Sequence, residues 1–195
     1  MKRKLYILNG SNLNMLGIRE PHIYGSTTLG DIERQCMAMA DTFKFDCVFR
    51  QTNSESELIG WIQEAYFEDA ALIINPAGFS FGRIPVLDAV KLIRRPVVEV
   101  HISNIHRRSE EYRHSTISVA ATAVICGAGA HGYLLSIRAI DDLWAAAERT
   151  QQAEQSPQEP RAHGSRTRRV TVSRSGLRAE LARQSDGDPL QRRGV

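Results

Sequence analysis

The sequence predicts an α/β fold built on a parallel sheet, and two observations predict it. Short apolar, β-branched runs occur five times between Lys4 and Trp144, at 4–8, 47–51, 71–74, 96–100 and 123–126. Between them, apolar residues recur at helical spacing, so strand and helix alternate as crossover connections of a parallel sheet require.

Each element has its own signal. After the first strand run, Thr28 with Asp31 reads as a capping box ahead of Leu29, Ile32, Cys36, Met39 and Phe43 at helical spacing. After the second, Ser54 with Glu57 repeats that device before Leu58, Trp61, Ile62 and Ala65. Pro85, with its fixed φ, suits the first turn of a helix over Ile84–Arg94. The stretch Gly132–Glu148 reads as a final helix lying on the sheet. Five strands with these connections predict a doubly wound sheet of flavodoxin-like order.

A chain of 195 residues with 42% apolar content can bury one core of ordinary size. We place that domain at 1–150. From Gln151 the composition turns to Gln, Ser, Arg, Gly and Pro without Phe, Trp or Tyr. Such a segment buries too little apolar surface to offset its ordering entropy, so 151–195 is expected to be a disordered, Arg-rich tail. Nine arginines against five acids give the tail +4, which leaves the body at −1 within the overall +3. A near-neutral body is no nucleic-acid footprint; the tail reads as a solvated appendage, with contact to a polyanion as the alternative. No run reaches the roughly 18 apolar residues of a membrane span and the first residues lack a signal-peptide core, so a cytoplasmic location without membrane contact is expected.

Several chemistries are disfavoured. Cys36, Cys47 and Cys126 are odd in number and dispersed, so buried free thiols are expected rather than a disulfide framework or zinc site. Gly127 to Gly132 formally matches GxGxxG, but it follows the last strand, and a glycine-assisted turn is the better reading. GxxxxGK[ST] and HExxH are absent from the sequence.

Ligands of open parallel sheets bind at the carboxyl ends of the strands. Those ends lead into Asn9-Gly10-Ser11-Asn12-Leu13-Asn14, Asn75-Pro76-Ala77-Gly78 and His101-Ile102-Ser103-Asn104. Any one asparagine there could be a turn residue, but three convergent ends point to a site. The loop from Gly17 to Gly25 carries Arg19 and Tyr24. A neighbouring guanidinium favours a phenolate, which would let Tyr24 act as a base; a tyrosine that merely packs the loop is the competing reading. Arg107, Arg108 and Arg113, with His106 and His114, suit a small anion or form a solvated patch.

At these residues the sequence resembles the type II 3-dehydroquinate dehydratase family over roughly residues 4–144. The likeness is carried by the Asn9–Asn14 run, Arg19-Glu20-Pro21 with Tyr24-Gly25, Ile74-Asn75-Pro76, Val98–Asn104 and Tyr112-Arg113-His114-Ser115. The resemblance implies a flavodoxin-like fold, a homododecamer built of trimers, no metal and no organic cofactor. It implies conversion of an anionic cyclic substrate, 3-dehydroquinate, to 3-dehydroshikimate, in aromatic biosynthesis or quinate breakdown. Tyr24 would be the base, with Arg19 favouring its phenolate. Asn12 would stabilise the enolate, and His101, oriented by Glu99, would protonate the departing hydroxyl. Asn75 would bind substrate hydroxyls, the Ile102 and Ser103 amides the carboxylate, and Arg113 would close over the ligand. Asp88 would contact a site across the subunit interface.

The departures lie on the substrate wall. Phe81 stands where the family places a substrate-binding histidine, Gly82 and Arg83 replace small hydroxylated residues, and one histidine is missing beside Arg113. Ser11 replaces a proline. Two rivals therefore stay open: the same mechanism on a related cyclic hydroxyketone acid, and a catalytically weak ligand-binding or scaffold paralogue.

Overall fold

The computed structural model describes residues 2–18 and 27–155. Its strands are β1 (Arg3–Ser11), β2 (Phe45–Gln51), β3 (Ala71–Ala77), β4 (Val97–His101) and β5 (Ala123–Cys126), and its helices α1 (Leu29–Thr42), α2 (Glu55–Phe67), α3 (Ile84–Val90) and α4 (His131–Gln155). All strand pairs are parallel, in the order β2-β1-β3-β4-β5. This is the predicted flavodoxin-like arrangement. From β1 the chain moves outward to β2 and then returns to β3 on the other side. The crevice beyond the carboxyl ends of β1 and β3 is thus the topological switch point.

Alternation along the strands divides the core between the faces. Leu5, Ile7, Ala71, Ile73, Val98 and Val100 meet Ile32 and Cys36 of α1 and Tyr133, Ile137, Ile140 and Trp144 of α4. Tyr6, Leu8, Leu72, Ile74 and Val97 meet Leu58, Ile62 and Ala65 of α2 and Val86 and Val90 of α3. Because both faces are covered, the strands read as continuous apolar runs. Each fully buried Leu or Ile contributes roughly 1.5–3 kcal/mol of transfer free energy.

The Thr28–Asp31 capping box is complete, with each side chain accepting from the other residue's main-chain N–H. The expected second box is only half formed. Ser54 Oγ accepts from Glu57 N at 3.3 Å, but the Glu57 carboxylate takes the Thr52 hydroxyl as its donor. The third helix ends at Val90, short of Arg94, where Leu92 and Ile93 donate three residues back, to the Ala89 and Val90 carbonyls, and the four-residue pattern stops. The last helix runs on to Gln155, past the expected Glu148, through a stretch rich in Ala, Glu and Gln. The rest of the expected tail lies outside the described residues.

Cys36 is buried and Cys47 half-buried, and burial pushes both thiols up to about 12, as expected for inert core cysteines. Gly127 and Gly129 adopt φ of 84° and 61° between β5 and α4, the glycine-assisted turn read from the sequence.

Candidate active site

The strand ends are built for close approach. A Cβ on Gly10 would lie 2.2 Å from the Pro76 carbonyl oxygen, so only glycine lets β1 pass β3 here. Asn9 pairs in register with Asn75, side by side across β1 and β3. Beyond Ser11 the backbone turns sharply, with Asn12 in the left-handed region at φ 63°. Asn53 holds that turn, its Oδ1 accepting from Asn12 N at 2.8 Å and from Gln51 Nε2 at 3.2 Å.

At the end of β4, Glu99 and His101 face the same side of the strand. Glu99 is fully buried and His101 is 4% exposed. The imidazole Nε2 lies 2.7 Å from Glu99 Oε1, while the Ser118 hydroxyl donates to Oε2. Burial pushes the Glu99 carboxyl up, but hydrogen bonds from His101, Ser115 and Ser118 outweigh it and hold the group below its ordinary value. An ionised Glu99 only accepts, so Nε2 carries a proton and Nδ1 is the nitrogen left for the cavity.

That cavity, of about 320 Å³, opens at the carboxyl edge of the sheet. Ser11, Asn12, Leu13, Met15 and Leu16 line it from the end of β1 and the turn after it, and Asn75, Ala77, Gly78 and Phe81 from β3 and its loop. His101, Ile102, Ser103, Arg108 and Tyr112 close it from β4 and the segment beyond. The volume is at the small end for ligand pockets and suits one substituted ring. The Arg108 guanidinium donates to Ser103 Oγ, so a cation and a hydroxyl share one wall.

The family model for dehydroquinase class II matches residues 3–141. The chain belongs to that family. A 3-dehydroquinate dehydratase of Brucella canis is 49% identical over 140 residues, covering 72% of this chain and 89% of the relative. The crystal structure of the type II dehydroquinase from Propionibacterium acnes superposes with a TM-score of 0.70 at 39% identity, covering 73% of this chain and 98% of that one. The Butyrivibrio crossotus type II dehydroquinase gives the same TM-score at 31% identity, covering 72% and 98%.

For a class II dehydroquinase, the expected residues divide into three groups. Asn12, Asn75, Phe81, His101, Ile102 and Ser103 all line the cavity, and Glu99 backs His101. Arg19 and Tyr24 lie outside the described residues. The other two sit elsewhere. Asp88 lies on α3, exposed and 3.5 Å from Lys91 Nζ. Arg113, expected to close over the ligand, is absent from the lining; it pairs with Glu110 at 3.2 Å and donates to the Arg108 carbonyl. Among the described residues, the guanidinium that lines the cavity is Arg108, and Tyr112 lines it too.

Sequence reasoning placed Arg108 in the cationic cluster without singling it out, and missed Tyr112, Ser118 and Asn53 as site residues. Tyr112 had a signal, since it adjoins the missing histidine and follows Phe81 only in space. Ser118 had none, for a serine 19 positions after a glutamate has no sequence pattern of its own.

Proposed function

We propose that this chain dehydrates 3-dehydroquinate to 3-dehydroshikimate through an enolate, using neither metal nor organic cofactor. The observation that carries the reading is the buried Glu99–His101 pair facing a ring-sized cavity beside Asn12 and Asn75. Relatives bearing that activity in their name are 49% identical over 140 residues.

In this reaction Tyr24, as a phenolate favoured by Arg19, takes the proton from the carbon next to the ketone. The electron pair moves onto the ketone oxygen, and Asn12 hydrogen-bonds the resulting enolate through a water. As the enolate collapses to the carbon–carbon double bond, the hydroxyl leaves with the Nδ1 proton of a doubly protonated His101, so the products are the enone and one water, and the proton taken by Tyr24 returns to His101 through solvent. Glu99 orients the ring through Nε2 and balances the charge of the imidazolium. Asn75 binds substrate hydroxyls, the Ile102 and Ser103 amides hold the carboxylate, and Arg108 adds the positive charge on that wall. Arg113 joins only by leaving Glu110. The reaction serves aromatic biosynthesis or quinate breakdown in the cytoplasm, in a dodecamer of trimers where Asp88 reaches a partner's site.

Conjugated-enone absorbance after addition of 3-dehydroquinate tests the reading. Growth of that band at a rate proportional to enzyme supports it; a flat trace sinks it. A second reading, the same chemistry on a related cyclic hydroxyketone acid, is favoured by the aromatic wall of Phe81 and Tyr112, which offers a phenyl ring where a hydroxyl would need a partner.

A further inference from the structure

Behind Asn75 lies a chain of hydrogen bonds that begins at a group able to act in one sense only. The Arg50 carbonyl, near the end of β2, can accept but not donate. Asn9 Nδ2 donates to it at 3.0 Å. The Asn9 amide is thereby oriented, and its Oδ1 points to Tyr133, whose hydroxyl donates to it at 2.6 Å. A phenol has a single proton, and here it is committed to Asn9. The Tyr133 oxygen can consequently only accept, and Asn75 Nδ2 donates to it at 2.8 Å. Asn9 and Tyr133 are fully buried and Asn75 is 3% exposed, so water does not compete along the relay.

We infer that Tyr133 is a positioning residue for the proposed reaction, fixing the Asn75 amide with its NH₂ group held from behind and its carbonyl oxygen left for the substrate. The inference rests on the assignment of Asn75 to substrate binding in the proposed function. Turning the amide over would set Asn75 Oδ1 against an oxygen whose proton faces the other way, leaving two buried acceptors opposed. Burial pushes the Tyr133 phenol up, which keeps its proton in place. Three separate elements meet in the relay, with Asn9 on β1, Asn75 on β3 and Tyr133 on the first turn of α4. Its far end is anchored too, since the Arg50 side chain pairs with both carboxylate oxygens of Glu64 at 2.7 and 3.0 Å. The consequence for specificity is directional. Asn75 accepts from a ring hydroxyl, so the site favours a hydroxyl donor over a carbonyl or ether at that position.

The test is a double-mutant cycle of Tyr133→Phe with Asn75→Ala, read by kcat and KM and by the calorimetric Kd for 3-dehydroquinate. Tyr133→Phe retains the buried ring but frees the Asn75 amide to turn. We expect KM and Kd to rise about ten-fold, within the five- to 150-fold that an unpaired buried polar group implies, with a smaller change in kcat. In the Asn75→Ala background the same change should add less than about two-fold, because nothing remains to be oriented. Asn9→Ala lies outside the cavity lining and releases the Tyr133 proton to either neighbour, so it carries the same expectation and decides the matter if Tyr133→Phe does not fold. Equal penalties with and without the Asn75 amide, or no penalty in either variant, would overturn the inference. Wild type that binds but does not turn over 3-dehydroquinate sinks the proposed activity while Kd still judges the relay. Wild type that neither binds nor reacts overturns both.

Discussion

The ring of Phe81 meets the ring of Tyr112 edge-on, with centroids 5.3 Å apart and planes at 85°. Both line the cavity, and this is the geometry in which the positive edge of one ring faces the negative face of the other. Phe81, which departs from the family pattern, and Tyr112, which belongs to it, are therefore one structural unit of the substrate wall. A hydroxyl placed against it loses a hydrogen-bond partner, whereas an apolar ring edge does not.

Replacing Phe81 with His should raise kcat/KM for 3-dehydroquinate. Leaving the hydroxyl desolvated costs about 1–3 kcal/mol, and the lost ring pair offsets roughly 0.5–1.5 of any gain. We expect about a ten-fold rise, carried by KM more than by kcat. Steady-state kinetics of both forms decide it: a lower kcat/KM in the variant means the wild-type pocket already satisfies that hydroxyl by another route.

The two arginines should separate cleanly. Arg108→Met removes the guanidinium that lines the cavity beside Ser103 and should raise KM for the anionic substrate at least about ten-fold. Arg113→Met removes a half-exposed partner of Glu110 and should stay within about three-fold, as surface ion pairs contribute little. A larger effect at Arg113 would show that it leaves Glu110 and closes over the bound ligand.

Glu99 links the site to acid stability. Its carboxyl titrates below the ordinary range in the folded chain, so the stability it contributes is fully present above that ordinary value, about 4.3, and is lost as pH falls through the depressed one. Glu99→Gln should flatten that acid slope in a plot of Tm against pH. It should also lower kcat about a hundred-fold, since the imidazolium that delivers the proton loses its charged partner. An unchanged acid slope would show that other carboxylates govern it.

The strand ends were legible in the sequence because the rule that picks them is topological. Asn12, Asn75 and His101 follow or end apolar runs, and the parallel sheet brings those ends together whatever the loops do. Side-chain partnerships from distant elements were not legible. Tyr133 sits at the start of α4, where an aromatic at helical spacing reads as core; it is core, yet its hydroxyl joins Asn9 to Asn75. Arg108 and Arg113 look alike in a basic cluster, and only the path of the short 3₁₀ turns after β4 puts one inside and the other out. Helix ends were misjudged where apolar periodicity persisted past the point at which hydrogen bonding tightens to three-residue steps, as after Val90, or where good helix formers outlasted the apolar stripe, as beyond Glu148.

Cutting the chain after Ser156 should leave turnover within about two-fold, because the described residues that line the cavity lie between Ser11 and Tyr112 and the removed segment lacks the apolar content of a core. Cutting after Thr150 instead would remove the last residues of α4. Activity and elution volume of the two truncations check this, and loss of either in the longer form would assign the Arg-rich segment a structural role.

The last prediction concerns the proton that His101 cannot handle. Elimination needs one proton removed beside the ketone and one delivered to the hydroxyl, and in the proposed mechanism His101, as an imidazolium held at Nε2 by Glu99, delivers the second from Nδ1. The base must come from another group, and Tyr24 with Arg19 supplies it in the proposed mechanism. Tyrosine titrates near ~10 and needs a close guanidinium to act near neutrality. Tyr24→Phe should therefore lower kcat by at least about a thousand-fold while the Kd for 3-dehydroquinate changes little, because only the phenolic oxygen is removed. Deuterium exchange at the carbon next to the ketone separates the two roles. His101→Asn should still wash deuterium into recovered substrate, since the enolate forms but cannot expel its hydroxyl. Tyr24→Phe should lose exchange and elimination together. If Tyr24→Phe keeps exchanging at the wild-type rate, the base is another residue and the division of labour between the loop and the end of β4 is wrong.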